Sequence, residues 1–138
     1  VDYGGWDTHE HQENAFPQLV QGLSDSLTAF YHDMRAHHER LTVVVMTEFG
    51  RRVRANRSQG TDHGHGNWML VLGGGVKGGK HYGKWPGLAP ELLDKRVDLA
   101  VTTDYRQVLA EVLQQHQGVQ QPRAVCPGLH PFRPLGFA

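Results

Sequence analysis

Seven side chains suited to holding a metal ion fall in three short stretches of this chain. Asp7, His9 and His11 lie in "GGWDTHEHQ" (4–12), Glu48 in "TEFGRR" (47–52), and Asp62, His63 and His65 in "GTDHGHGN" (60–67). In an extended segment, side chains two residues apart point the same way. Asp7, His9 and His11 would therefore face one point, and so would His63 and His65, with Gly64 letting the backbone come close. Imidazole nitrogens mixed with carboxylate oxygens suit zinc, manganese or iron rather than calcium. The competing interpretation is a pair of polar, glycine-bent loops whose histidines bond to backbone.

Positive charge beside these stretches points to a small anionic substrate. Arg51 and Arg52 follow "TEFG" directly, and a guanidinium offers forked donors to an anion. A solvated basic pair opening a short helix is the alternative. Lys77 and Lys80 lie in the glycine-rich stretch "GGVKGGKH" (74–81) and would sit on a rim loop near the site. Gly74, Gly79 and Lys80 have the spacing of a phosphate-binding loop. The next residue is His81 rather than Ser or Thr, however, and "HYGKWPG" cannot continue as a helix, so the nucleotide-binding mechanism is missing.

The remaining histidines suggest no site. His32, His37 and His38 lie near the end of a long helix and His116 near the end of another, where cationic character suits the helix dipole. His130 falls in a proline-rich tail. Cys126 has no nearby base and is expected to be inert. Trp6, Trp68 and Trp85 are expected to pack, with Trp6 and Trp85 as candidate pocket walls.

Several elements must position these residues. Phe16, Leu19, Val20, Leu23, Leu27, Phe30, Tyr31 and Met34 recur at helical spacing, predicting a long helix over 13–39, with Asn14 as N-cap and Pro17 in the first turn. "LTVVVM" (41–46) and "WMLVLGG" (68–74) are apolar on both faces, as in strands buried in a parallel sheet. Residues before "GGWDTHEHQ" look like the end of a further strand. "TTDYRQVLAEVLQQHQG" (102–118) predicts a second helix capped by Thr103 or Asp104 and ended by Gly118. Residues 73–90 are expected to be irregular, and the tail from Val119 to wrap over the surface. The pattern predicts an α/β layered domain with ligands outside the carboxyl ends of its strands.

The 138 residues are enough for one domain, residues 1–138. Fourteen basic and fourteen acidic residues balance, which argues against a nucleic-acid groove or an anionic-membrane surface. No run approaches the ~20 apolar residues of a membrane span. The first residue is Val1, and the chain is read as the C-terminal piece of something longer.

Taken in order, "GGWDTHEHQ", "VVVMTEFGRR", "GTDHGHGN", "LVLGGGVKGG", "YGKWPGL", "TTDYRQVLAEVL" and the "CPGL…PLGF" tail resemble the C-terminal part of the bacterial domain-of-unknown-function 1501 proteins, related to the alkaline phosphatase and sulfatase superfamily. The resemblance implies a three-layer α/β/α sandwich with a mostly parallel sheet and a two-metal site at its carboxyl edge. It assigns Asp7 with His11 or His9 to an Asp-x-x-x-His pair. Glu48 stands at an Asp-His pair whose histidine is replaced by Phe49, and His63 or His65 would be the later lone histidine. It also implies a nucleophile in a preceding N-terminal part and an export signal of twin-arginine type, hence a periplasmic location. The expected function is metal-dependent hydrolysis of phosphate or sulfate esters with zinc or manganese. A non-catalytic module that has lost the complete site is the alternative. A truncated sheet edge would favour pairing with a second copy.

Overall fold

The computed structural model describes residues 1–129 and 131–138; the role expected for His130 lies outside the described residues. Helix α1 spans Gln12–Asp33 and passes into a 3-10 segment, Met34–Arg40. The strands are β1 (Thr42–Val45), β2 (Gly50–Arg51), β3 (His63–Gly64) and β4 (Leu70–Gly73), followed by α2 (Tyr105–His116) and a single turn, α3 (Pro122–Val125). These elements group into two compact units. One holds residues 1–36, 48–67 and 86–100, the other 37–47, 68–85 and 101–138.

The three-layer parallel sandwich is not what forms. Two separate two-stranded sheets replace it, β1 with β4 and β2 with β3, and both are antiparallel. Parallel neighbours need a crossover of a dozen or more residues, usually a helix. Residues 46–69, between β1 and β4, contain no helix, so the two apolar runs pair directly in opposite directions, Thr42 against Gly73 and Val45 against Leu70. Every residue of both runs is only half-buried. An all-apolar four-residue run therefore served a small ribbon here, not a sheet interior. The strand expected before residue 4 is likewise absent, since residues 1–8 form no regular element.

In the first unit, α1 starts earlier than its sequence signals suggest. His11, not Asn14, is the N-cap, and Pro17 lies inside the helix. Its apolar stripe stays open: α1 has no fully buried side chain, and Phe16, Val20 and Phe30 are exposed. What α1 does anchor is the segment before the site. Trp6 packs edge-on against both Tyr3 and Phe16, with ring centroids 5.7 and 5.9 Å apart, and the Tyr3 hydroxyl donates to the Leu19 carbonyl.

The second unit holds a small core. Asp104 caps α2 by accepting from the Arg106 amide, and Gly118, at φ 66°, follows its end. Ala110, Cys126 and Leu129 are buried together, with Phe132 against them. Glu111, 1% exposed, receives backbone N–H groups from Leu135, Gly136, Phe137 and Ala138, which fastens the chain end to α2. Trp68 and Trp85, expected to pack, are exposed.

Candidate metal centre

Two successive three-residue turns shape the first ligand stretch. The Thr8 amide donates to Trp6 O at 2.9 Å and the His9 amide to Asp7 O at 3.1 Å. This ribbon keeps Asp7 and His9 on one side. From across the β2–β3 ladder, where Arg51 is paired with His63, the His63 ring reaches the same point. His63 Nε2 lies 2.7 Å from Asp7 Oδ1 and 3.1 Å from His9 Nε2, and His9 Nε2 lies 3.0 Å from Asp7 Oδ1.

Three donor atoms so close together have a physical consequence. A carboxylate oxygen only accepts, and each imidazole nitrogen donates or accepts according to its tautomer, so a proton or a cation must lie between atoms this close. A single proton can bridge two of the three; a metal ion can meet all three. Atoms at these separations can each sit about 2.1 Å from one common point, the bond length of zinc to imidazole and carboxylate. The donor set and its spacing thus fit a divalent ion.

Supporting side chains hold each ligand. Asp62 Oδ1 lies 3.6 Å from His9 Nδ1, too long for a hydrogen bond but close enough to place a negative charge beside the ring nitrogen that does not meet Asp7 and His63. Asn56 Nδ2 donates to Asp62 Oδ1 at 3.0 Å and to the His9 carbonyl at 2.9 Å, while its Oδ1 accepts from the Ser58 and Gly60 amides. Phe49 stacks on His63 with centroids 4.0 Å apart and planes 16° apart. The residue that replaces an expected histidine therefore serves as a wall for one. Gly60 is required by proximity, because a Cβ there would lie 2.1 Å from the His9 carbonyl.

Charge follows the same geometry. The hydrogen bond from His63, with His9 and Arg51 nearby, holds the Asp7 carboxyl below its ordinary range. The Asn56 hydrogen bond, with Arg52 and His9, does the same for Asp62.

Of the residues expected at the site, Asp7, His9 and His63 converge and Asp62 stands behind His9. His65 turns away to Asp94 and Asp98. His11 belongs to neither group: its φ of 44° opens α1 and ends the alternation that would have aligned it with Asp7. Glu48 is exposed and also belongs to neither. Arg51 donates to the Trp6 and Thr61 carbonyls and to Asp7 Oδ1 at 3.0 Å, and lies 4.8 Å over the Phe49 ring. Its fork is committed to the ligand segments. Arg52 pairs with Asp62 and Asp98. Lys80 belongs to the second unit, 5.1 Å over the Tyr82 ring.

Sequence reasoning overlooked Asn56, Asp94 and Asp98. "NRSQG" carries a usable signal for the first, since an asparagine that accepts from the amide two residues on marks an Asx-turn. "LLDKRVD" has no ligand spacing that stands out from a charged surface turn.

A family model described as "Protein of unknown function (DUF1501)" matches residues 1–129. No curated protein and no solved structure matches the chain.

Proposed function

The chain belongs to the DUF1501 family of proteins of unknown function, and on that premise we propose that it is a metal-dependent hydrolase of phosphate or sulfate esters. The observation that supports this reading is the convergence of Asp7 Oδ1, His9 Nε2 and His63 Nε2 within 2.7–3.1 Å of one another at an exposed position. Two histidines and one carboxylate are the ligand set of several hydrolytic zinc sites, which keep a further position open. A divalent ion held there supplies Lewis acidity toward a phosphoryl or sulfuryl oxygen.

The chain's own side chains do the rest. Asp7 contributes one negative charge, so a site holding a divalent ion stays net positive and attracts an anionic ester. The negative charge of Asp62, 3.6 Å from His9 Nδ1, favours the proton on that nitrogen and so leaves Nε2 free for the ion. Arg51 steadies Asp7 and the Trp6 and Thr61 backbone on either side.

One observation favours a second reading, a metal-binding module without turnover. Arg51, expected to grip the substrate's oxygens, is 19% exposed and fully engaged within the protein. Aryl phosphates and aryl sulfates assayed with added zinc or manganese separate the two. Turnover abolished by a chelator and by Asp7→Ala with His63→Ala supports the hydrolase. Metal retained with no turnover supports the module, and no metal bound overturns both.

A further inference from the structure

Helix α1 carries a single glycine, Gly22, at its middle. Glycine is the least favourable residue after proline in a helix interior, so a local reason for it is expected. A Cβ at position 22 would lie 2.5 Å from the Tyr3 hydroxyl oxygen and 3.6 Å from Tyr3 Cζ. Gly22 is thus a notch that receives the end of Tyr3. We propose that residues 3–6 form a strap laid across α1 and seated in that notch, and that the strap positions Asp7 and so sets metal affinity. The proposal rests on Asp7, His9 and His63 being a metal centre.

The strap follows the helix in three-residue steps. As the chain runs from Tyr3 to Trp6, its contacts move back along α1 from Gly22 through Leu19 to Phe16, each a neighbour of the next on the helix surface. Tyr3 sits over Gly22, and its hydroxyl donates to the Leu19 carbonyl at 3.3 Å. Gly5 turns the strap at φ 91°, and a Cβ there would come within 3.2 Å of Leu19 Cδ2. Trp6 packs edge-on against Phe16 and against Tyr3, so the two aromatic residues of the strap hold each other as well as the helix.

The strap ends where the metal centre begins. The Trp6 carbonyl accepts from the Thr8 amide at 2.9 Å and from Arg51 Nη2 at 2.7 Å, and Arg51 Nη2 also donates to Asp7 Oδ1 at 3.0 Å. Asp7 is the next residue, and α1 itself starts soon after, at Gln12. Residues 7–11 are therefore a short bridge with both ends fixed to one helix. Such a bridge has few conformations open to it, and freeing one end restores them. Metal binding must then order Asp7 as well as bind it, and affinity falls. Tyr3 is 44% exposed, so its ring serves the strap rather than a core.

A double-mutant cycle on zinc affinity tests this, with hydrogen exchange in the metal-free protein as a second reading. Gly22→Ala raises helix propensity yet drives the Tyr3 hydroxyl out of its notch. It should weaken zinc binding about three- to tenfold, the scale of a lost edge-on aromatic pair. It should also speed exchange at the Thr8 and His9 amides, whose acceptors are the Trp6 and Asp7 carbonyls. Tyr3→Phe loses only the long hydroxyl bond and should stay within about twofold of the parent. Gly22→Ala combined with Tyr3→Phe should regain the parent's affinity, because the new methyl then meets Cζ at 3.6 Å, an ordinary contact. Unchanged affinity and exchange in Gly22→Ala overturn the proposal. A double variant as weak as Gly22→Ala overturns it too, since the loss then comes through the helix alone. A parent that binds no zinc removes the metal reading instead, and exchange at Thr8 and His9 then decides the strap by the same cycle.

Discussion

Asn56→Ala removes four hydrogen bonds at once while touching none of the three converging ligand atoms. Two are donated by Nδ2, to Asp62 Oδ1 at 3.0 Å and to the His9 carbonyl at 2.9 Å, and two are accepted by Oδ1, from Ser58 N at 2.9 Å and Gly60 N at 3.1 Å. A neutral side-chain bond nets about 1 kcal/mol, and the bond to ionised Asp62 somewhat more. Because Asn56 is only half-buried, water replaces part of that, and the expected loss is about 2–3 kcal/mol. Losing the partner behind a ligating histidine typically weakens metal binding about 10–100-fold. Urea unfolding of the metal-free protein reads the first quantity, and zinc titration against a chromophoric chelator reads the second. Asn56→Asp keeps the acceptor but sets a carboxylate against Asp62, so it should lose metal affinity with less loss of stability in the loop. If Asn56→Ala keeps zinc affinity within twofold while stability falls as expected, Asn56 is a loop staple only, and the argument that Asp62 orients His9 through it fails.

Other expectations follow from the same contacts. Folding lowers the Asp7 and Asp62 carboxyls, so the stability they lend is complete above about pH 4–5 and is lost as the pH falls through their folded values. In metal-free protein, His63→Ala should raise the Asp7 midpoint in a carboxyl NMR titration; an unmoved midpoint counts against the hydrogen bond. Gly60→Ala forces a Cβ to 2.1 Å from the His9 carbonyl, whereas Gly78→Ala meets nothing within 4 Å. The former should lower both the melting temperature and zinc affinity, the latter neither. Glu111→Ala strands four backbone N–H groups at the chain end and is expected to cost about 3–5 kcal/mol. Hydrogen exchange should show amides 135–138 losing protection first, and retained protection would mean the chain end is held by its apolar side chains instead.

The meeting of Asp7 with His9 was more legible in the sequence than the fold. The i, i+2 rule located Asp7 beside His9 because alternation is a local property that two tight turns preserve. It failed for His11, where a left-handed residue opens the helix, and for His65, whose partners in "LLDKRVD" lie 29 and 33 positions away (94 − 65 and 98 − 65). Helix α2 was readable from its cap and terminal glycine, both local signals. The sheet was not. Four apolar residues say that a run forms a strand but carry no information on whether its neighbour runs parallel, and that choice rests on what lies between the strands. Phe49 shows the limit on the site side: the sequence recorded a missing ligand, and only the stacking on His63 shows what the ring does there.

The claim that Asp7, His9 and His63 grip one ion is tested most directly by X-ray absorption spectroscopy of the protein loaded with one equivalent of zinc. The account requires nitrogen and oxygen neighbours at about 2.0–2.1 Å with outer-shell scattering from two imidazoles, falling to one imidazole in His63→Ala and in His9→Ala alike. Zinc surrounded by oxygen alone, or a spectrum unchanged by both substitutions, would contradict it.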